Sequence, residues 1–135
     1  MRRTDILSFL NGLDKFKIIK DEHETEYVVF KDSKVKYLRK ILDKTAFEAV
    51  ENHIHLLDDI TLKEFKALFP IAKSLGNLLL CCLKQSFPNK NFIVFVTLCV
   101  HDSFIIRFHQ KWEDELPYYN LNDFENQGEK VFMFE

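Results

Sequence analysis

Glycine, proline and cysteine are scarce in this chain, with three of each in 135 residues. So few breakers leave little room for long irregular loops, and three scattered glycines cannot assemble a glycine-rich phosphate cradle. Three cysteines exclude a disulfide framework. Cys81 and Cys82 are neighbours whose bridge would close almost no loop, and Cys99 is left without a regular partner, so the thiols are expected to be reduced and buried in a reducing cytosol. Cys-x-x-Cys and His-Glu-x-x-His spacings are missing, as are apolar runs long enough to span a bilayer. An excess of charge is lacking too. The formal net charge is −2 and the pI is near 6.2, which is not the basic footprint of a nucleic-acid binder. The start, MRRTDILSFLNGLDK, has two arginines, but its apolar stretch is interrupted by Asp5, Ser8, Asn11 and Gly12 and no small-residue cleavage site follows. A cytoplasmic protein is expected.

Phenylalanine is what the chain has in plenty, at 14 residues. Hydrophobic residues make up 47% and charged residues 30%, the balance of a globular domain and not of a disordered one. The length fits one domain, with no linker, repeat or low-complexity segment to divide it.

Periodicity supplies the elements. Thr4 or Asp5 can cap a helix carrying Ile6, Leu7, Leu10 and Leu13, with Gly12 near its end. Phe16–Ile19 and Thr25–Phe30, separated by acidic Asp21–Glu24, predict a hairpin. From Ser33 to about Asn52 the apolar set Val35, Leu38, Ile41, Leu42, Ala46, Ala49 and Val50 predicts one long amphipathic helix. Thr61 and Glu64 form a capping box, and Pro70 suits the first turn of the next helix. That helix, through Phe87, is apolar nearly all round and is expected to be central and covered. Phe92–Cys99 predicts an interior strand, Val100–Ser103 a turn, and Phe104–His109 a second strand. Its Phe104, Ile106 and Phe108 should pack on helices, while Ile105, Arg107 and His109 turn polar on the other face. Lys130–Phe134 predicts a closing strand. The order reads as one α+β domain, an antiparallel sheet packed on several helices.

Candidate chemistry is sparse. Arg107 and His109 share a strand face and would suit phosphodiester cleavage, with His as acid or base and Arg stabilising charge. No spacing supplies the second proton-transfer group, so a locally salt-bridged pair on the solvent side of a sheet is the plainer expectation. His53 and His55 would converge on an extended segment, with Asp58, Asp59 or His101 as further ligands only through folding; no metal or other cofactor is expected. No Ser stands in a nucleophile elbow. An enzyme is the weaker class. Trp112, Glu113, Asp114, Glu115, Tyr118 and Tyr119 cluster around Pro117 outside any strand, with the residue types of an interface hot spot and acids that can steer a basic partner. Asp58 and Asp59 offer a second acidic patch, and Asp21 to Glu26 a third. The competing expectation is a loop folded back on the domain, its aromatic rings sealing the sheet edge.

An apolar strand, a short turn, Phe104-Ile105-Ile106-Arg107-Phe108-His109-Gln110, an acidic tract, Pro117-Tyr118-Tyr119 and a closing strand Val131–Phe134 together resemble small bacterial immunity proteins. These accompany polymorphic toxins, including contact-dependent growth-inhibition systems and related secreted nuclease toxins. The resemblance lies in the last third of the chain and, elsewhere, in size and element order. It implies a cytoplasmic inhibitor, not an enzyme, that binds the C-terminal domain of one cognate toxin, often a basic nuclease, and occludes its active site. On that reading Trp112, Glu113, Asp114, Glu115, Tyr118 and Tyr119 are the contacts, with Asp58 and Asp59 as a second patch, and neither nucleic acid nor membrane is touched. The mild net charge departs from the strongly acidic inhibitors of that type. Two alternatives remain: a small RNA- or nucleotide-processing enzyme using Arg107 and His109, and a ligand-binding module with a sizeable apolar pocket.

Overall fold

Alternating apolar residues in the last third of the chain build the centre of the molecule. In the computed structural model, β5 (Phe92–Cys99) pairs antiparallel with β6 (Ser103–Gln110) on one side and with β7 (Glu129–Phe134) on the other. Strand β4 (His53–Asp58) lies antiparallel along the far side of β6, with a bulge between His55 and Leu57. The two-residue β1 (Arg2–Arg3) adds in parallel, giving the order β1-β4-β6-β5-β7. The structure describes every residue except Met1, Thr4, Asp5, Asp14, Tyr37 and Glu125, and Arg2 and Arg3 by backbone alone. The proposed caps Thr4 and Asp5 therefore lie outside the described residues.

Phe92, Val94, Val96 and Leu98 join Phe104, Ile106 and Phe108 in one cluster with Leu75, Leu79 and Leu83 of α4 (Phe69–Ser86). Burial of these side chains, at about 1.5–3 kcal/mol each, is the main force holding α4 to the sheet. Helix α3 (Leu62–Ala67) begins at the anticipated capping box, where Thr61 Oγ1 accepts from Glu64 N–H and Glu64 Oε1 accepts from Thr61 N–H. A short α1 (Ile6–Asn11) buries Phe9 in the same cluster. The hairpin β2 (Phe16–Lys20) and β3 (Glu26–Phe30) forms a separate two-stranded sheet. One side of the hairpin joins the main core through Phe16, Val28 and Phe30. The other side makes a second, smaller core of Ile19, Tyr27, Val29 and Leu38, closed by Phe47 and Trp112. The fold is thus a single α+β domain, as the pattern of elements predicted.

Three expectations are corrected. The helix anticipated from Ser33 to Asn52 begins only at Lys44: α2 is Lys44–Glu51, capped by Asp43, whose side chain accepts from Ala46 N–H at 2.8 Å. Residues 33–36 and 38–42 are irregular because Leu38, Val35 and Ile41 are drawn into the hairpin core, a destination open to extended chain as well as helix. The strand β4 that follows was hidden by that helical reading. Helix α4 is not covered on most sides, since Ile71 and Leu78 remain about 40% exposed. Nor are the cysteines buried, Cys81 being exposed and Cys82 and Cys99 half-exposed.

Candidate interaction surface

Helix α2 and the segment after β6 are built as one unit. Because β5 lies between β6 and β7, the chain from Lys111 to Gly128 must cross the face of the sheet to reach β7. It covers the side opposite α4. Glu115 reaches back to the start of α2, its oxygens accepting from Lys44 N–H at 3.1 Å and Thr45 N–H at 2.7 Å. With Asp43 on Ala46, three of the four orphan amides of the first turn gain a carboxylate acceptor, and the negative charge suits the positive helix end. Asp114 forms an ion pair with Lys44 at 3.0 Å.

At the centre of α2, Glu48 is fully buried, and its oxygens accept four N–H groups. These are Val28 N–H, Gln110 N–H, Gln110 Nε2 and Trp112 Nε1, all at 2.8–2.9 Å. Its partners come from β3, β6 and the crossing segment. Burial pushes the carboxyl up to about 7, against the pull of the four donors toward the charged form. At the other end of α2, Arg107 donates to Ala49 O at 3.2 Å and His53 Nδ1 meets Val50 O at 2.5 Å. Both lie where a helix carries partial negative charge.

Arg107 and His109 are therefore not on a solvent face, and no ion pair holds Arg107 among the described residues. Arg107 is buried with its guanidinium 4.9 Å from the Tyr118 ring centre and 5.2 Å from that of Tyr119. His109 is 1% exposed. Tyr118 N–H donates to its Nε2 at 3.2 Å, so Nδ1 carries the proton and donates to Gln110 O at 2.7 Å. Both ring nitrogens are occupied, and burial drives the imidazole pKa down, keeping it neutral. His53 and His55 do share a face of an extended strand, their ring centres 5.7 Å apart. No group of three or more metal-ligating side chains forms around them among the described residues.

The aromatic and acidic segment thus divides in two. Trp112, Glu115, Tyr118 and Tyr119 face inward, Tyr119 against Phe95 at 5.0 Å between ring centres. Glu113, Leu116 and Pro117 face outward. Leu116 is 85% exposed, and Leu42, from the loop before α2, is 87% exposed. They line one cleft of about 520 Å³ together with Asp43, Glu115 and Pro117. A second cleft of about 490 Å³ on the other flank of the segment is lined by Lys111, Trp112, Glu113 and Leu116. Asp58 and Asp59 do not join this surface. Asp58 pairs with Ser103 and Asp59 N–H donates to Asp102 O, at the end of β6 away from Trp112, about 24 Å along the strand. Leu42 escaped the sequence reading because it falls in the apolar set of an amphipathic helix, and Leu116 because it stands alone among acids and aromatics. The apolar pocket required of a ligand-binding module has a modest counterpart, a cleft of about 300 Å³ over Phe9, Phe30 and Ile54. No helix among the described residues is long and apolar enough to cross a membrane. Neither a protein-family model nor a curated protein nor a solved structure matches the chain.

Proposed function

We propose that this chain is an immunity protein that neutralises one toxin domain, a basic nuclease, by covering its active site in the cytoplasm. The observation that carries the reading is the pair Leu42 and Leu116, large apolar side chains left in water around one cleft, next to a segment held by Glu115, Asp114 and Trp112. An exposed apolar pair with Asp43, Glu113 and Asp114 around it has the anatomy of an interface centre with a charged rim. Burying both leucines would contribute about 3–6 kcal/mol, and the acids would steer a basic partner. The inward residues Trp112, Glu115, Tyr118 and Tyr119 support the surface, and the outward Glu113, Leu116 and Pro117 touch the partner. Inhibition by occlusion requires no turnover, consistent with an imidazole at His109 whose two nitrogens are already engaged.

The test is capture of the partner from the native host, then titration of purified partner with wild-type chain and with Leu42→Asp/Leu116→Asp. The expected result is stoichiometric loss of the partner's toxic activity and an affinity at least about a hundredfold weaker in the double variant, with its unfolding midpoint unchanged. A partner whose activity persists at saturation, or equal affinity in the variant, overturns the proposal.

A further inference from the structure

The largest local excess of positive charge lies between Lys31 and Lys44, where five Lys and one Arg face two acids, in a chain of net charge −2. Read as helix, these cations would be one solvated face among many. The irregular conformation of residues 31–36 and 38–43 arranges them differently. Ser33 and Leu38 are buried, and Val35 and Ile41 pack on the hairpin core. The backbone is tied down along its length. Lys17 Nζ donates to Ser33 O at 2.7 Å, Ser33 Oγ donates to Glu51 at 2.5 Å, Leu38 forms a bridge with Asp21, and Lys40 N–H donates to Glu22 at 3.1 Å.

Cations then dominate the exposed residues of this strap, five of them against Asp32, Leu42 and Asp43. Lys31, Lys34, Lys36, Arg39 and Lys40 are all exposed, and none forms an ion pair with a described residue. Like charges paired with no described residue repel one another and concentrate positive potential, which an anionic partner relieves. The cationic stretch between acids is short: Lys34 to Arg39 spans at most about 18 Å even fully extended. Carboxylates bound it, Glu22 and Asp43 at one end and Asp32 and Glu51 at the other. A long polyanion such as a nucleic-acid strand would run onto those acids, whereas a segment of a few acidic residues fits between them.

We infer that this strap binds an acidic peptide segment of a protein partner. The inference goes beyond the proposed inhibitory role and stands whether or not residues 112–119 form a toxin interface. It is tested with a fluorescein-labelled octaglutamate peptide, by anisotropy in rising salt. The expected result is binding near 50 mM salt that weakens by about tenfold or more toward 200 mM, and loss of binding in Lys34→Glu/Lys36→Glu/Arg39→Glu. The control Lys63→Glu/Lys66→Glu/Lys84→Glu makes the same change of net charge on α3 and α4 and should retain binding. No anisotropy change at low salt, or equal loss in the control, overturns the inference. Tighter binding of a single-stranded RNA octamer than of the peptide also overturns it, assigning the strap to a phosphate backbone.

Discussion

Trp112 Nε1 donates to Glu48 Oε1 across 2.8 Å, joining the segment after β6 to the middle of α2. Glu48 is fully buried, and its other three donors come from β3 and β6, so one carboxylate ties together the hairpin, the helix, the sheet and the crossing segment. The outward display of Leu116 rests on that junction and on Glu115.

Glu48→Ala leaves four buried donors unpaired and should destabilise the fold by several kcal/mol, at roughly 1–3 kcal/mol for each donor that water cannot reach. Trp112→Phe removes one donor and keeps most of the ring area, so its cost should be about 1.5–3 kcal/mol. Urea unfolding of both variants checks the order. Equal stability of Glu48→Ala and wild type would show the hub to be dispensable.

Two groups make stability depend on pH in opposite directions. The folded pKa of Glu48 is raised to about 7, so between about 4.5 and 7 the native state holds a proton that the unfolded chain has released. Its contribution is complete below about 4.5 and is lost as pH rises through 7. His109 has a lowered folded pKa. Its contribution is present above about 6.5 and is lost as pH falls below that value. Removing the first should expose the second, so Glu48→Gln should lose stability on acidification below about 6.5 more steeply than wild type. Parallel pH profiles would contradict both assignments.

Glu115 accepts from the Lys44 and Thr45 amides at the first turn of α2. Glu115→Ala should cost about 0.5–2 kcal/mol, the range of a lost N-terminal cap. Hydrogen exchange at the Lys44 and Thr45 amides should quicken in that variant. Unchanged protection would mean that Asp43 alone closes the helix.

Gly76 lies directly beneath the Phe134 ring, where an added Cβ would fall inside the ring's van der Waals envelope. Gly76→Ala must displace β7 or turn the ring aside, at about 1–3 kcal/mol. Pairing it with Phe134→Ala should restore part of the loss, which a double-mutant cycle in thermal unfolding would measure.

Much of the architecture was legible because local chemistry and tertiary demand coincided. The capping box at Thr61 and Glu64, Pro70 in the first turn of α4, and the alternation of Phe104, Ile106 and Phe108 each have one satisfactory structural answer. Residues 33–42 do not, because Val35, Leu38 and Ile41 meet the hairpin core from extended chain although their spacing also fits a helix. The inward placement of Trp112 and the tyrosines was foreseen as one of two possibilities, and Leu42 and Leu116 were not foreseen at all.

The sequence by itself determined β2, β3, β5, β6 and β7, the starts of α3 and α4 and the α+β class, because apolar period and capping act between residues near each other in the chain. Tertiary structure alone decided the fate of the charged and polar groups. Glu48 became a buried hub, Arg107 a cap on α2, and His109 a neutral hydrogen-bonded ring, while five cations between Lys31 and Lys40 stayed in water. The physical reason is that the burial of a charge depends on partners distant in sequence. Glu48 and Trp112 are 64 residues apart, and Thr45 and Glu115 are 70 apart.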